Sequence, residues 1–207
     1  MAECVWLLDH VCHELHNKVV LDVGAGTGIL SMMAARTGAK KVYAVECSDI
    51  AKTARSIVKE NNLDGIIEVI QGKIEDIELP EKVDVIVSEW MGYFLLYESM
   101  LNSVLAARVK FGAPCVRLLP DKASMHIVAI EDAAYWARKT TFWEDRNGLN
   151  YYAVERLDML EPLIENVPPE QLVTDVVEFI SFDLNTCRVE DLSFRDVPPQ
   201  HRDVPHT

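Results

Sequence analysis

The sequence predicts an α/β fold built on a doubly wound parallel sheet, followed by a region of different character. Three observations carry this. Short apolar, β-branched runs alternate with helical stretches from Val19 to about Val109. The first run ends in a glycine-rich turn, Gly24-Ala25-Gly26-Thr27-Gly28. The alternation stops near Pro120.

Val19 to Val23 reads as a buried parallel strand, a short apolar run with β-branched enrichment that ends at Gly24. Ile29 to Arg36 has helical composition, and Gly38 stops it. Lys41 to Val45 is the second strand, and Ser48 or Asp49 caps a helix running to about Asn61. Gly65 to Ile70 and Val83 to Val87 are the third and fourth strands. Tyr97 to Val109 reads as a helix with Glu98 in its first turn, where the helix dipole favours a carboxylate. After Pro120, Ala123 to Ile130 reads as a strand and Ala133 to Trp143 as an aromatic-rich helix. Val173 to Phe182 and Cys187 to Leu192 read as strands of a separate antiparallel element. The expected organisation is a domain over 1–120, a second over 121–196, and a Pro-, His- and Asp-rich disordered tail over 197–207.

Composition sets limits on function. With 49% hydrophobic and 26% charged residues, the 207-residue chain is globular in character. No apolar run approaches the ~20 residues that cross a bilayer, and no membrane association is expected. Five dispersed cysteines form no CxxC pair, which fits neither a disulfide framework nor a zinc site and suits a reducing compartment. A cytoplasmic or nuclear location is expected. The formal net charge of −13 repels nucleic acid, so no direct nucleic-acid binding is expected, and it attracts cationic partners. Solubility alone explains that charge equally well.

The strand–turn–helix segment Val20 to Gly28 needs glycine where a ligand approaches the backbone. A dinucleotide fingerprint would place glycine at position 29, where this chain has Ile29. The pattern here is GxGxG preceded by Asp22, which suits a cationic sulfonium better than a pyrophosphate. Glu46 closes the second strand eighteen positions after Gly28, placed to accept hydrogen bonds from ribose hydroxyls. Gly72-Lys73-Ile74-Glu75 follows the third strand and is positioned to meet an adenine. Three such sites at successive strand ends form one crevice.

The fourth strand runs into Ser88-Glu89-Trp90-Met91-Gly92-Tyr93-Phe94-Leu95-Leu96-Tyr97-Glu98-Ser99-Met100, with two carboxylates nine residues apart. A loop of that length can fold back so that both face one point, the alternative being two unrelated glutamates, one on a loop and one in a first helical turn. Such a pair binds a metal, does acid/base work or holds a cation, and metal is the weakest option because no histidine or further carboxylate shares the segment.

Val20 to Gly28, Tyr43 to Glu46 and Ser88 to Met100 resemble the corresponding motifs of the type I protein arginine methyltransferases. The similarity is nearly unbroken from Lys18 to Ile130 and weaker to Phe194. The resemblance implies a class I methyltransferase domain, then a dimerisation arm at about 131–172 and the beginning of a β-barrel. It implies S-adenosyl-L-methionine as cofactor and S-adenosyl-L-homocysteine as product. Asp22, Gly24, Gly26, Gly28, Glu46, Ile74, Glu75 and Glu89 would line the cofactor, with Glu46 on the ribose. Glu89 and Glu98 would clamp the substrate guanidinium, and Met91 and Met100 would line the reacting centre. The implied reaction makes mono- and asymmetric dimethylarginine in basic, Arg/Gly-rich or histone segments, by a homodimer or a heterodimer with a paralogue. Trp136, Phe142, Trp143, Tyr151 and Tyr152 supply aromatic anchors for an interface on that arm, and an internal hydrophobic face accounts for them equally well.

The chain also departs from the family. Members carry an N-terminal helix with a Tyr-Phe-x-x-Tyr motif, yet only eighteen residues precede Val19 here. They also carry a Thr-His-Trp loop, and no such tripeptide occurs. Ala113-Pro114-Cys115-Val116 replaces a glycine-containing turn. The expectation is a chain truncated at both ends, weak or inactive alone. The alternative expected role is a catalytically impaired, dimerising regulatory fragment.

Overall fold

The computed structural model describes residues 12–144 and 147–195, so the expected tail at 197–207 lies outside the described residues. The chain divides into two compact units. The first contains residues 12–124 and 181–195 of the described chain, and the second contains 125–144 and 147–180.

In the first unit, a short helix α1 (Cys12–Leu15) leads into β1 (Val19–Val23), α2 (Ile29–Arg36), β2 (Lys41–Glu46), α3 (Ile50–Glu60), β3 (Ile67–Gln71), β4 (Val83–Val87), α4 (Met100–Phe111) and β5 (Gly112–Leu119). The five strands form one parallel sheet in the order β3-β2-β1-β4-β5. β1 lies at its centre, with Val20 opposite Val42 on one side and Val85 on the other. All five of its residues are buried, the one carboxylate Asp22 included. Val20, Val42 and Val85 pack with Leu30 and Ala34 of α2 and Val58 of α3. On α4, Leu101, Val104 and Leu105 are buried, and that helix packs on β1, β4 and β5.

Several expectations are corrected. The helix expected from Tyr97 begins at Met100. Before it, Tyr97 N–H donates to the Tyr93 carbonyl (3.1 Å) and Ser99 takes a left-handed φ of 57°, so Glu98 precedes the helix rather than sitting in its first turn. β5 was not expected, because no strand was read between Val109 and Pro120, whereas α4 passes directly into the strand at Gly112. The strand expected over Cys187 to Leu192 is a 3-10 turn over Val189–Leu192, after Cys187 N–H has bonded back to the Asp183 carbonyl (2.7 Å). Asp49 makes no side-chain cap and instead pairs with Lys52 (2.7 Å).

β6 (Lys122–Ile127) and β7 (Val177–Asp183) form a two-stranded sheet through which the division into units runs. The second unit holds α5 (Ala133–Lys139), α6 (Thr141–Glu144) and α7 (Tyr152–Asp158). The single expected helix from Ala133 to Trp143 is broken at Thr140. Asp158 links the three pieces: its carboxylate pairs with Lys139 and accepts the Trp143 indole N–H at 3.0 Å. No residue of α5 or α7 is buried.

Asp22 is the buried charge of the sheet. It is 1% exposed, its Oδ2 accepts the Ser31 hydroxyl at 2.6 Å, and its Oδ1 has no hydrogen-bond partner. Burial pushes its carboxyl up to about 6, with Ser31 opposing and the Glu46 charge reinforcing the shift. A group raised in the folded state favours folding below its unfolded pKa and loses that contribution as pH rises through the folded value. A shift of this size corresponds to about 3 kcal/mol. In urea denaturation, the stability of Asp22→Asn relative to wild type should therefore rise by ~2–3 kcal/mol between pH 4 and pH 7.5. A gap independent of pH would contradict it.

Candidate active site

The C-terminal ends of the parallel strands meet at one edge of the sheet, where open α/β sheets receive ligands. A cleft of about 580 Å³ opens there. β1 and its turn contribute Val23 and Gly24, β2 and its turn Val45 and Cys47, and the segment after β3 residues 72–76. Met100 and Ser103 of α4 close the far side.

Gly24 forms the floor. Its φ is +74°, and a Cβ there would stand 2.1 Å from the Met100 methyl. The left-handed backbone favours glycine there, while the Met100 methyl is the end of a flexible side chain that can move aside. The N–H groups of Gly24 and Ala25 both donate to the Val45 carbonyl, at 2.9 and 3.0 Å. This holds the glycine turn against the end of β2.

Glu46 completes that junction. Its Oε2 accepts the Gly26 N–H at 2.9 Å and its Oε1 the Ser48 N–H at 2.8 Å, while its main-chain carbonyl accepts from Gly72 at 3.0 Å. Burial pushes the carboxyl upward, but hydrogen bonds from Ser48, Gly26 and Cys47 outweigh it and leave the pKa below its ordinary value. Glu46 is therefore an ionised carboxylate with a main-chain N–H donor on each oxygen.

At the other end of the cleft, Ile74 is buried and Glu75 is exposed. Ser103 donates its hydroxyl to Glu75 at 2.6 Å, and this bond is the main cause of a lowered Glu75 pKa. Sequence reasoning missed Ser103, although its position one helical turn after Met100 is a usable signal. It missed Cys47 and Asp76 of the lining as well.

The segment after β4 is a compact, turn-rich loop. Gly92 N–H donates to the Leu95 carbonyl (3.1 Å), and Phe94 and Leu95 take left-handed φ values of 49° and 58°. The loop folds back so that Glu98 lies over Gly92, where a Cβ would be 2.7 Å from the Glu98 Cγ. Glu89 and Glu98 are both exposed, Met91 is half-buried, and Trp90 is buried with its indole N–H unpartnered.

The cleft lining thus gathers Gly24, Ile74, Glu75 and Met100, with Gly26 and Glu46 joined to it by hydrogen bonds. Gly28 stands apart as the N-cap residue of α2, and Asp22 turns away from the lining onto Ser31. Glu89, Met91 and Glu98 belong to the loop beyond Met100 rather than to the lining.

Two family models match the chain. One, described as ribosomal protein L11 methyltransferase, covers residues 2–111, and the other, described as the arginine methyltransferase oligomerization subdomain, covers 121–199. The chain is 50% identical over 190 residues to protein arginine N-methyltransferase 1 of Caenorhabditis elegans, covering 90% of this chain and 55% of the relative. It is 51% identical over 179 residues to protein arginine N-methyltransferase 1 of Oryza sativa, covering 86% of this chain and 46% of that protein. Among solved structures, a Trypanosoma brucei PRMT1 enzyme–prozyme heterotetrameric complex with AdoHcy matches with a TM-score of 0.85 and 50% identity, over 93% of this chain and 60% of that one. Arabidopsis thaliana protein arginine methyltransferase 10 matches with a TM-score of 0.77 and 35% identity, over 93% and 61%. The chain spans about half the length of the curated relatives it matches. With half its residues identical to such relatives along nine-tenths of its length, the chain belongs to the protein arginine methyltransferase family.

Proposed function

We propose that the chain contributes to methyl transfer from S-adenosyl-L-methionine to guanidino nitrogens of protein arginines, giving mono- and asymmetric dimethylarginine. The observation that carries this is the junction of a bare-backbone cleft floor at Gly24, an ionised Glu46 and a folded-back loop bearing Glu89 and Glu98. The cleft fits an adenosyl ligand. Gly24 brings no side chain into it, Glu46 presents an ionised carboxylate for ribose hydroxyls, and Ile74 offers a buried apolar wall beside Glu75 for a base. When bound, S-adenosyl-L-methionine supplies an electrophilic methyl on a cationic sulfonium and leaves as S-adenosyl-L-homocysteine.

The residues of the chain do the rest. Free arginine stays protonated, with a pKa above ~12, so its nitrogens are poor nucleophiles. Glu89 and Glu98 bind the planar fork through charge-assisted hydrogen bonds, drawing positive charge away from the nitrogen that reacts. Alkylation makes one guanidinium N–H more acidic, and a carboxylate oxygen of Glu98 or Glu89 takes that proton. Met91 and Met100 shape the space between the two half-sites, and holding the reactants at near-attack distance supplies much of the rate.

Basic, Arg/Gly-rich segments are the proposed substrates, supported by the net charge of −13. Residues 121–196 are proposed as a barrel segment carrying an oligomerisation arm at about 131–172. Support comes from exposed Trp136, Leu157 and Leu160 on a unit whose helices α5 and α7 bury nothing. A second copy or a relative of this chain is the proposed partner, and cytoplasm or nucleus the proposed location. The second reading, a dimerising regulatory chain without activity of its own, rests on that same exposed surface.

Calorimetry with S-adenosyl-L-homocysteine and transfer of labelled methyl to an Arg/Gly-rich peptide test these roles. Glu46→Gln should weaken S-adenosyl-L-homocysteine binding about 10–100-fold, the loss expected when charged hydrogen bonds disappear. Glu98→Gln should cut transfer by at least ~10²-fold while leaving that affinity within about 3-fold. A wild-type chain that binds cofactor but transfers methyl only when mixed with a full-length relative would favour the regulatory reading. A chain that binds no cofactor under any of these conditions would overturn the catalytic one.

A further inference from the structure

Ser88 occupies the junction between the two half-sites. It follows Val87, the last residue of β4, and precedes Glu89. It is 3% exposed, its hydroxyl donates to the Val23 carbonyl at 2.8 Å, and its N–H donates to the Leu119 carbonyl at 3.1 Å. The pairing of β1 with β4 ends at Asp22 opposite Val87. Beyond that point β4 supplies no main-chain donor to Val23, whose carbonyl is buried beside it. The Ser88 hydroxyl supplies one, adding a rung past the end of the ladder. That rung ties the peptide entering Gly24, the floor of the cleft, to the peptide entering Glu89, the start of the carboxylate loop.

We infer that Ser88 is a positioning residue that sets the spacing between the cofactor half-site at Gly24 and the guanidinium half-site at Glu89 and Glu98. The inference rests on the reading of those two half-sites proposed above. Its physical content is a distance. With the hydroxyl present, the two strand ends are held by a 2.8 Å contact. Without it, a methyl group faces a carbonyl oxygen, the pair relaxes apart, and the buried carbonyl loses its partner. Each half-site keeps its own residues: Glu46 still closes on Gly26 and Ser48, and Glu98 still lies over Gly92. What changes is the register between them, and a shift of about 1 Å in such a register costs on the order of 10²-fold in rate. Below this rung the β1–β4 ladder pairs Asp22 with Val87, and Met100 against Gly24 is a flexible thioether contact that does not define a distance.

Binding tests this without requiring turnover. Three ligands are measured by calorimetry on wild type, Ser88→Ala, Ser88→Cys and Ser88→Thr: S-adenosyl-L-homocysteine, an Arg/Gly-rich peptide, and an adenosyl compound carrying a guanidinium on a short alkyl tether. Wild type should bind the tethered compound more tightly than S-adenosyl-L-homocysteine. Ser88→Ala should reduce that advantage about 10–100-fold while each separate ligand stays within about 3-fold. Ser88→Thr, which keeps the hydroxyl, should restore it, and Ser88→Cys, a weaker donor, should fall between. Thermal melting of each variant identifies any that do not fold, and the ordering of the remaining variants decides the matter. If Ser88→Ala weakens S-adenosyl-L-homocysteine and the tethered compound equally, or weakens neither, the positioning role is wrong. If wild type fails to bind S-adenosyl-L-homocysteine at all, the cofactor reading itself has failed, a result distinct from the first.

Discussion

The whole site depends on one constraint: buried strands end, and the main-chain polar groups at those ends still need partners. β1 is enclosed by β2 and β4 and buried along its length, so neither water nor a further strand serves its last residues. The chain meets that demand locally. The Val45 carbonyl takes the Gly24 and Ala25 N–H groups, the Glu46 carboxylate takes those of Gly26 and Ser48, and the Ser88 hydroxyl serves the Val23 carbonyl. Those same bonds draw the glycine turn, the acidic end of β2 and the start of the carboxylate loop to one edge of the sheet. These structural bonds and the proposed ligand contacts share the same atoms, at the place where the strands stop.

Glu46 and Asp22 show how two carboxylates close to one turn acquire different characters. Glu46 is supplied with N–H donors and stays ionised below its ordinary pKa. Asp22 has one hydroxyl donor and an unpartnered second oxygen, and burial raises it to about 6. The difference is donor supply set against desolvation. Among the acidic residues at the strand ends, Glu46 is thus the better equipped to meet a ligand, and Asp22 the better suited to holding α2 onto β1.

Much of the first unit was legible in the sequence because its signals are local. Val19–Val23, Ile29–Arg36 and Val83–Val87 have the boundaries that their composition and flanking residues imply. The misreadings share a different cause. Leu95, Leu96 and Tyr97 look like the approach to a helix, but the left-handed turns at Phe94, Leu95 and Ser99 delay it to Met100, and apolar periodicity does not register such turns. Gly112–Leu119 carried no strand signal because Gly112 and Pro114 are poor strand residues, yet they tolerate extended backbone at the edge of a sheet. Cys187 to Leu192 has strand-like composition, but Asp183 captures the Cys187 N–H and starts a turn instead. Ser31, Ser88 and Ser103 were invisible as site residues because serine carries no pattern of its own. Their partners, Asp22, Val23 and Glu75, lie nine, sixty-five and twenty-eight positions away.

One ligand is proposed to engage the ends of four strands at once. Hydrogen–deuterium exchange, with and without S-adenosyl-L-homocysteine, reads this out: coincident slowing is expected in residues 23–28, 46–48, 72–76 and 88–103, with the segment 133–158 unchanged. No slowing, or slowing confined to one of those four segments, would contradict it.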